Sequence, residues 1–229
     1  MRIPFAALGL TAALLCGSPP AGAGDPVQGK PFVVEFGVIE MKKTVKNPAV
    51  TTETAETMYF KDFGWVQARY STEKASNKYV KGEQITRRFS LIDGKTLTSV
   101  DLDTKEGTRM ENPAAGMLGK MSRPEAQGLA DKMGDAMNTK TKKVGEEQVA
   151  GKLCEVHEAV TEMGAIKQTT RTYLWKNIVL KLVSSGMGTE VIEEALSVKT
   201  DAPIAAEKFK LPEGAKIKDI GNPLGGKKK

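Results

Sequence analysis

Residues 144–183 constrain the fold most strongly, because strand-like alternation recurs there and is broken by glycine. They read VGEEQVAGKLCEVHEAVTEMGAIKQTTRTYLWKNIVLKLV. Apolar residues alternate with polar ones in two segments, 153–160 and 171–179. In the first segment Cys154, Val156 and Val160 lie on one face, and in the second Tyr173, Trp175 and Val179 do so. Period-two alternation with β-branched and aromatic residues is typical of half-buried antiparallel strands.

The rest of the chain repeats this pattern, so we predict a meander of short strands. The predicted strands are 32–43, 51–60, 65–70, 79–92, 96–102, 108–111 and 190–199. Asn47-Pro48 and Asp93-Gly94 predict turns, the second being a strong hairpin signal. The polar residues 71–78 predict a loop, and 205–210 predict a helical turn.

One segment in the middle of the chain has a different period. Ser122 and Glu125 form a capping box, and the apolar residues behind it fall on one face of a helix: Ala126, Leu129, Ala130, Met133 and Met137. Upstream, Met117, Leu118 and Met121 predict a second short helix. The fold class is therefore α+β and mostly antiparallel β, with a central helical insertion.

The first 23 residues have the layout of a secretory signal peptide. Arg2 gives a basic start, 5–16 is an apolar run shorter than a membrane span, and Ala21-Gly22-Ala23 offers small residues for cleavage. An uncleaved membrane anchor is the alternative. Lipidation at Cys16 is a further one, which the large Leu15 disfavours. The sequence thus predicts export to the periplasm.

Composition places the remaining chain among ordinary globular proteins, with 40% hydrophobic and 27% charged residues. We predict one domain over 24–220 and a disordered basic tail over 221–229. The net charge of +6 comes from dispersed lysines, which indicate a solvated surface or weak contact with anionic membranes. Nucleic acid is excluded as a partner because basic and aromatic residues do not alternate.

The residues supply no set of groups for catalysis. His157 is the single histidine, so neither an imidazole metal cluster nor a Ser-His-Asp triad can form. Cys154 and His157 are three apart and point to opposite faces of a strand. Cys154 is either a reactive thiol or a small buried side chain. We predict no cofactor, no metal and no enzymatic activity.

Three motifs resemble a known group of exported proteins. They are the glycine-led strand 145–156, the Thr172-Tyr173-Leu174-Trp175 strand end and the closing sequence Phe209-Lys210-Leu211-Pro212-Glu213-Gly214. This combination of motifs is similar to that of the bacterial outer-membrane lipoprotein carrier superfamily, which includes LolA, LolB and RseB. The resemblance implies a curved, unclosed half-barrel sheet that covers the helical insertion and leaves an apolar cavity for acyl chains.

The resemblance also implies a set of ligand-binding residues in the cavity or its lid: Met117, Leu118, Met121, Leu129, Met133, Met137, Tyr173 and Trp175. Methionine suits irregular apolar guests, although the same stripe also fits an ordinary core. The first functional hypothesis is a non-enzymatic, monomeric protein that binds a lipid or acylated ligand. The alternative is an envelope protein–protein interaction or stress-sensing module whose core is filled.

Overall fold

The computed structural model describes residues 30–112, 138–164 and 166–221 of the chain. The described residues form a twelve-stranded sheet. Its strands are β1 (Gly37–Lys46), β2 (Val50–Lys61), β3 (Val66–Asn77), β4 (Val80–Asp93), β5 (Thr96–Asp101), β6 (Glu106–Glu111), β7 (Thr139–Val149), β8 (Lys152–Met163), β9 (Ile166–Trp175), β10 (Ile178–Gly186), β11 (Thr189–Lys199) and β12 (Lys216–Asp219). Two single turns of 3-10 helix span Asp62–Gly64 and Ala206–Phe209.

Two meanders make up the sheet. The order β12-β6-β5-β4-β3-β2-β1-β11-β10-β9-β8-β7 places β1–β6 side by side in one half and β7–β11 in the other. The antiparallel pair β1–β11 joins the halves, and β12 adds to β6 in parallel. The chain therefore passes from β6, near one end of the sheet, to β7, at the other end.

The sheet is strongly coiled in its second half. β7 lies in contact with β11, although β8, β9 and β10 separate them in the sheet order. Lys181 of β10 reaches across this concavity, and its Nζ lies 3.3 Å from Oε1 of Glu147 on β7. The prediction of a curved, unclosed and mostly antiparallel sheet is confirmed.

Apolar side chains pack on both faces of the sheet. On β2, Met58 and Phe60 point to one face and Tyr59 to the other, as alternation in a strand requires. The first cluster consists of Ile39, Met41, Met58, Phe60, Val149, Cys154, Val156, Tyr173, Ile178, Leu180 and Ala195. The second contains Ala68, Phe89 and Val100, and the C-terminal segment covers it with Phe209, Leu211, Ala215 and Ile217.

Several predicted strand limits are wrong. Residues 71–77 continue β3 rather than forming a loop, because they pair with β2 and β4 on both sides. The predicted strand 171–179 is two strands, separated by a turn at Lys176 and Asn177 with φ of 49° and 65°. The first strand begins at Gly37 rather than at residue 32.

Other predictions are met, and some lie outside the described ranges. The Asp93-Gly94 turn joins β4 to β5, and the helical turn predicted for 205–210 is the 3-10 helix Ala206–Phe209. Strand β12 was not predicted. The signal peptide, the two central helices and the tail after Gly221 fall on residues that the structure does not describe. Within the described ranges, no helix has the length and hydropathy of a membrane span.

Replacing Phe89 by alanine tests the second cluster. Its side chain is fully buried, so Phe89→Ala should destabilise the fold by about 3–5 kcal/mol, measured by urea unfolding. Tyr79 is 78% exposed in the β3–β4 turn, and Tyr79→Ala is the matched control, expected to leave the unfolding midpoint unchanged. Equal effects of the two changes would contradict the packing described above.

Candidate functional site

Two of the predicted ligand-binding residues lie in the described part of the chain, at the end of β9. Tyr173 is only 6% exposed and belongs to the first cluster. Trp175 is half-buried against that cluster. Its ring lies near two lysines, with Nζ of Lys152 and Nζ of Lys176 each 5.1 Å from the ring centroid. Both aromatic residues thus help to fill the coiled half of the sheet.

A lysine bridge crosses this half of the sheet. Nζ of Lys181 lies 3.3 Å from Glu147 and 3.7 Å from Glu194, and 5.0 Å from the ring centroid of Tyr173. Partial burial lowers the pKa of Lys181, but the Glu194 and Glu147 carboxylates outweigh this effect and hold the pKa above its ordinary value. Lys181 therefore remains charged and ties β7, β10 and β11 together.

The sequence contained a signal for this bridge. Lys181 interrupts the apolar run IVLKLV, and a charge at such a position is usually paired when it is buried. We did not predict the bridge, because its partners are 34 positions before Lys181 (Glu147) and on the far side of a turn (Glu194). Only the coil of the sheet brings Glu147 within reach.

The remaining six predicted ligand-binding residues lie in 113–137, outside the described residues: Met117, Leu118, Met121, Leu129, Met133 and Met137. The structure describes the residues on either side of this segment, Asn112 and Asn138. Before it, Asn112 donates its backbone N–H to Lys95 O at the rim that carries the β4–β5 turn. After it, the Asn138 amide donates to Glu162 O at the rim that carries the β8–β9 turn. The strand registers place these two rims at opposite ends of the strands.

Cys154 is a core residue. Its side chain is fully buried in the first cluster, and its Sγ lies 3.4 Å from Lys152 O. Burial raises the pKa of the Cys154 thiol to about 11. Because the thiolate is the reactive form, the structure favours the buried-hydrophobe interpretation of this cysteine over a reactive thiol.

His157 lies on the other face of β8 and is also buried. Its Nε2 is 3.5 Å from Oε2 of Glu155, and this nitrogen makes no hydrogen bond with any described residue. Oε1 of Glu155 accepts a hydrogen bond of 2.9 Å from Lys143 of β7. Lys143 therefore holds the pKa of Glu155 below its ordinary value.

An ion-pair ladder lies on the same strands. Both Arg171 of β9 and Lys142 of β7 contact Glu158 of β8, at 2.9 Å and 3.1 Å. Hydrogen bonds from Arg171 and then Lys142 hold the pKa of Glu158 below its ordinary value of 4.5. These ion pairs connect three neighbouring strands, and their role is structural.

A polar cleft of about 570 Å³ opens in the first half of the sheet. Four strands contribute to it, β4, β5, β6 and β12, and its lining residues are Arg88, Ser99, Asp101, Glu106, Gly107, Thr108, Lys216, Ile217 and Lys218. None of the predicted ligand-binding residues is among them. The Asp101 carboxylate accepts backbone hydrogen bonds from Asp103 and Thr104, so it stabilises the β5–β6 turn.

Comparisons with known proteins give matches among solved structures. No protein-family model matches the chain, and no curated protein matches it. The matched chain in the MucA/MucB complex of Pseudomonas aeruginosa is 12% identical with a TM-score of 0.40, and the match covers 76% of this chain and 55% of that chain. The present chain thus spans about half the length of the protein matched there.

Two further structures are similar over most of their length. An uncharacterized conserved protein from Thermus thermophilus is 8% identical with a TM-score of 0.46, covering 82% of this chain and 91% of that chain. A putative outer membrane lipoprotein-sorting protein domain from Vibrio parahaemolyticus is 9% identical with a TM-score of 0.32, covering 76% and 89%. The lipoprotein-sorting domain is a protein of the kind that the sequence resemblance names.

The burial of Cys154 predicts how its thiol reacts. Iodoacetamide should not label the folded protein at neutral pH, because the thiol is enclosed and its pKa is raised to about 11. Labelling should become complete in denaturant, as measured by intact mass. Rapid labelling of the folded chain would show that the core around β8 opens or that the thiol is exposed.

The ion pairs of Glu158 predict an acid dependence of stability. Its folded pKa is lowered, so the stabilisation is present above the ordinary value of 4.5 and is lost as pH falls through the folded pKa. Glu158→Gln should therefore show a shallower loss of thermal stability below that pH than the unchanged protein. Glu162→Gln on the same strand is the control for removing a carboxylate. Parallel curves for the unchanged protein and Glu158→Gln would contradict the assignment.

Proposed function

We propose that the chain is an exported, non-enzymatic binding protein that holds a lipid or acylated molecule against the concave face of its sheet. The observation that carries this proposal is the position of Asn112 and Asn138 at opposite rims of a coiled sheet. The 25 residues between them connect these rims as well as the two halves of the sheet. A connection of this kind suits a cover over the concave face.

The sequence of this connection fits an apolar guest. Its methionines and leucines recur at helical spacing, and the flexible, polarisable methionine side chain adapts to irregular apolar surfaces. Burial of apolar surface contributes roughly 25 cal/mol per Å², so one acyl chain would supply useful affinity without a charged or catalytic group. In this proposal the six apolar residues named above contact the ligand.

Tyr173 and Trp175 have unequal roles in this proposal. Because Tyr173 is buried beneath Lys181, it supports the floor of the concave face from within the first cluster. Trp175 retains exposed surface and is the aromatic residue available for direct contact. Export, through the leader predicted over 1–23, would place the protein in an envelope compartment where acylated molecules are present.

A filled interaction module is the second candidate, and one observation favours it. At the coiled end the concave side is occupied by the chain's own residues, since Val149, Cys154 and Tyr173 are all buried there. A packed interior leaves no room for a guest at that end. In this alternative the protein binds another envelope protein through its outer surface and carries no lipid.

Native mass spectrometry distinguishes the two candidates. The protein is purified from the envelope fraction of its own cells, its mass is recorded under native conditions, and an organic extract is analysed for lipid. The proposal predicts a co-purifying lipid that is lost in the variant Met133→Glu/Met137→Glu, because charge in an apolar site is costly. Met187 is 72% exposed at the β10–β11 turn, and Met187→Glu is the matched control, expected to retain the lipid.

Two results would contradict the lipid-binding proposal. One is a clean native mass with no extractable lipid and no uptake of a fluorescent fatty acid, which would favour the interaction module. The other is equal lipid content in the double variant and the Met187→Glu control, which would place any lipid away from the proposed cover.

A further inference from the structure

Strand β7 ends the sheet order and is exposed along almost its whole length. Residues 140–148 are all exposed, and only the last residue, Val149, is buried. Among the described residues, β8 is the only strand that pairs with it. An edge of this length offers a row of backbone donors and acceptors to another strand.

The charges of this edge are antisymmetric about its centre. The sequence Lys142-Lys143-Val144-Gly145-Glu146-Glu147 has two positive charges before the centre and two negative charges after it. In an antiparallel pair of two such strands centred between Val144 and Gly145, each lysine lies opposite a glutamate. Opposite charges at directly facing positions stabilise a strand pair, and like charges destabilise it.

A β-bulge places the facing charges on the same side of the sheet. In a regular strand, Lys142 and Glu147 are five positions apart and would point to opposite faces. The β7–β8 register shifts between Lys143 and Gly145, so Lys142 lies beside Glu158 and Glu147 lies beside Cys154. Glu158 and Cys154 are four apart on β8 and share a face, and therefore so do Lys142 and Glu147.

The same shift aligns the second pair on the opposite face. Lys143 lies beside His157 and Glu146 beside Glu155, which are two apart on β8. Each of the four charged residues therefore lies opposite a residue of the other charge in the second copy, and both residues of each pair point to the same face of the sheet. Without the bulge, the antisymmetric sequence would put every lysine and its facing glutamate on different sides of the sheet.

We propose that two copies of this chain associate through their β7 edges, antiparallel about a two-fold axis between Val144 and Gly145. Lys142 then faces Glu147 of the second copy, and Lys143 faces Glu146 of the second copy. Such an isologous contact is self-complementary and closes as a dimer. The proposal does not depend on whether the protein binds lipid.

The centre of this contact is sterically open. Val144 is 43% exposed, and it would face Gly145 of the second copy. A Cβ placed on Gly145 would meet no atom within 4 Å, so the glycine leaves room for the valine side chain. The charged residues also keep accessible surface, with side-chain exposures of 67% for Lys142, 40% for Lys143, 50% for Glu146 and, beside its contact with Lys181, 51% for Glu147.

Lysines and bulges on edge strands usually prevent pairing with strands of other molecules. On β7 the lysines and the bulge instead allow pairing with a second β7 in one register. Shifting the second copy by one residue along β7 places Lys142 opposite Glu146 or Gln148 and Lys143 opposite Gly145 or Glu147, and the two residues of each such pair point to different faces of the sheet. The existing ion pairs of Lys142 with Glu158 and of Lys143 with Glu155 hold the lysines in position. Lys143 also contacts Glu146 of its own strand at 3.3 Å, and in the dimer each lysine gains a further carboxylate from the second copy.

Sedimentation velocity of the full mature chain in low salt tests the dimer. The proposal predicts a concentration-dependent dimer that weakens with salt. Glu146→Lys/Glu147→Lys and Lys142→Glu/Lys143→Glu should each raise the dissociation constant about tenfold or more, because every facing pair becomes repulsive. An equimolar mixture of the two variants should restore a dimer, since all facing charges are then opposite.

Two further variants complete the test. Val144→Glu keeps every ion pair within the chain and should also abolish the dimer by placing two carboxylates near the axis. Exchanging the exposed pair Lys42 and Glu53 of β1 and β2, away from the edge, is the matched control and should leave association unchanged. A monomeric wild-type chain, a dimer unaffected by the charge reversals, or a mixture that stays monomeric would overturn the proposal.

Discussion

The pairing of β1 with β11 is the contact on which the rest of the molecule depends. It joins strands from opposite ends of the chain, with Val38 opposite Lys199 and Lys46 opposite Glu190. The first apolar cluster extends across this seam, because Met41 and Ala195 face each other within it. Each meander is held by local hairpins, and among the described residues only this ladder joins the two meanders into one sheet.

The β1–β11 pairing also determines the sheet shape on which both proposed contacts depend. Once the halves are joined, the second meander coils until β7 approaches β11, and Lys181 secures this arrangement through Glu147 and Glu194. The coil creates a concave side, fills part of it with apolar residues and leaves β7 as an exposed edge. The proposed ligand contact and the proposed dimer contact are thus two consequences of one sheet shape.

Local sequence signals predicted the strands well where turn chemistry or alternation was strong. Asp93-Gly94 identified its hairpin, and the alternation in 153–160 identified β8. The turn at Lys176-Asn177 was not predicted, because a lysine in a left-handed conformation is unusual. The apolar residues on both sides of this turn were therefore interpreted as one strand. Residues 71–77 are polar because both faces of that hairpin meet solvent, so their strand character comes from pairing and not from burial.

The predicted site depended on long-range information that one sequence does not contain. The alternation placed Tyr173 correctly on an apolar face, but it did not show that the chain's own residues fill the space around the ring. Nor did spacing along the chain show that Glu147 would meet Lys181 across the coil. Strand β12 has four residues and pairs in parallel with β6, which gives almost no local signal.

Methyl NMR of the methionine side chains tests the central functional claim most directly. Nine of the chain's ten methionines follow the predicted leader, and each of their methyl groups, assigned by substitution, is observed while a fatty acid is added. Lipid binding beneath the connecting segment predicts chemical-shift changes and intermolecular NOEs at Met117, Met121, Met133 and Met137, with no change at the exposed Met187. Unchanged spectra at the four central methionines, or changes confined to Met187, would contradict binding between the sheet and its connecting segment.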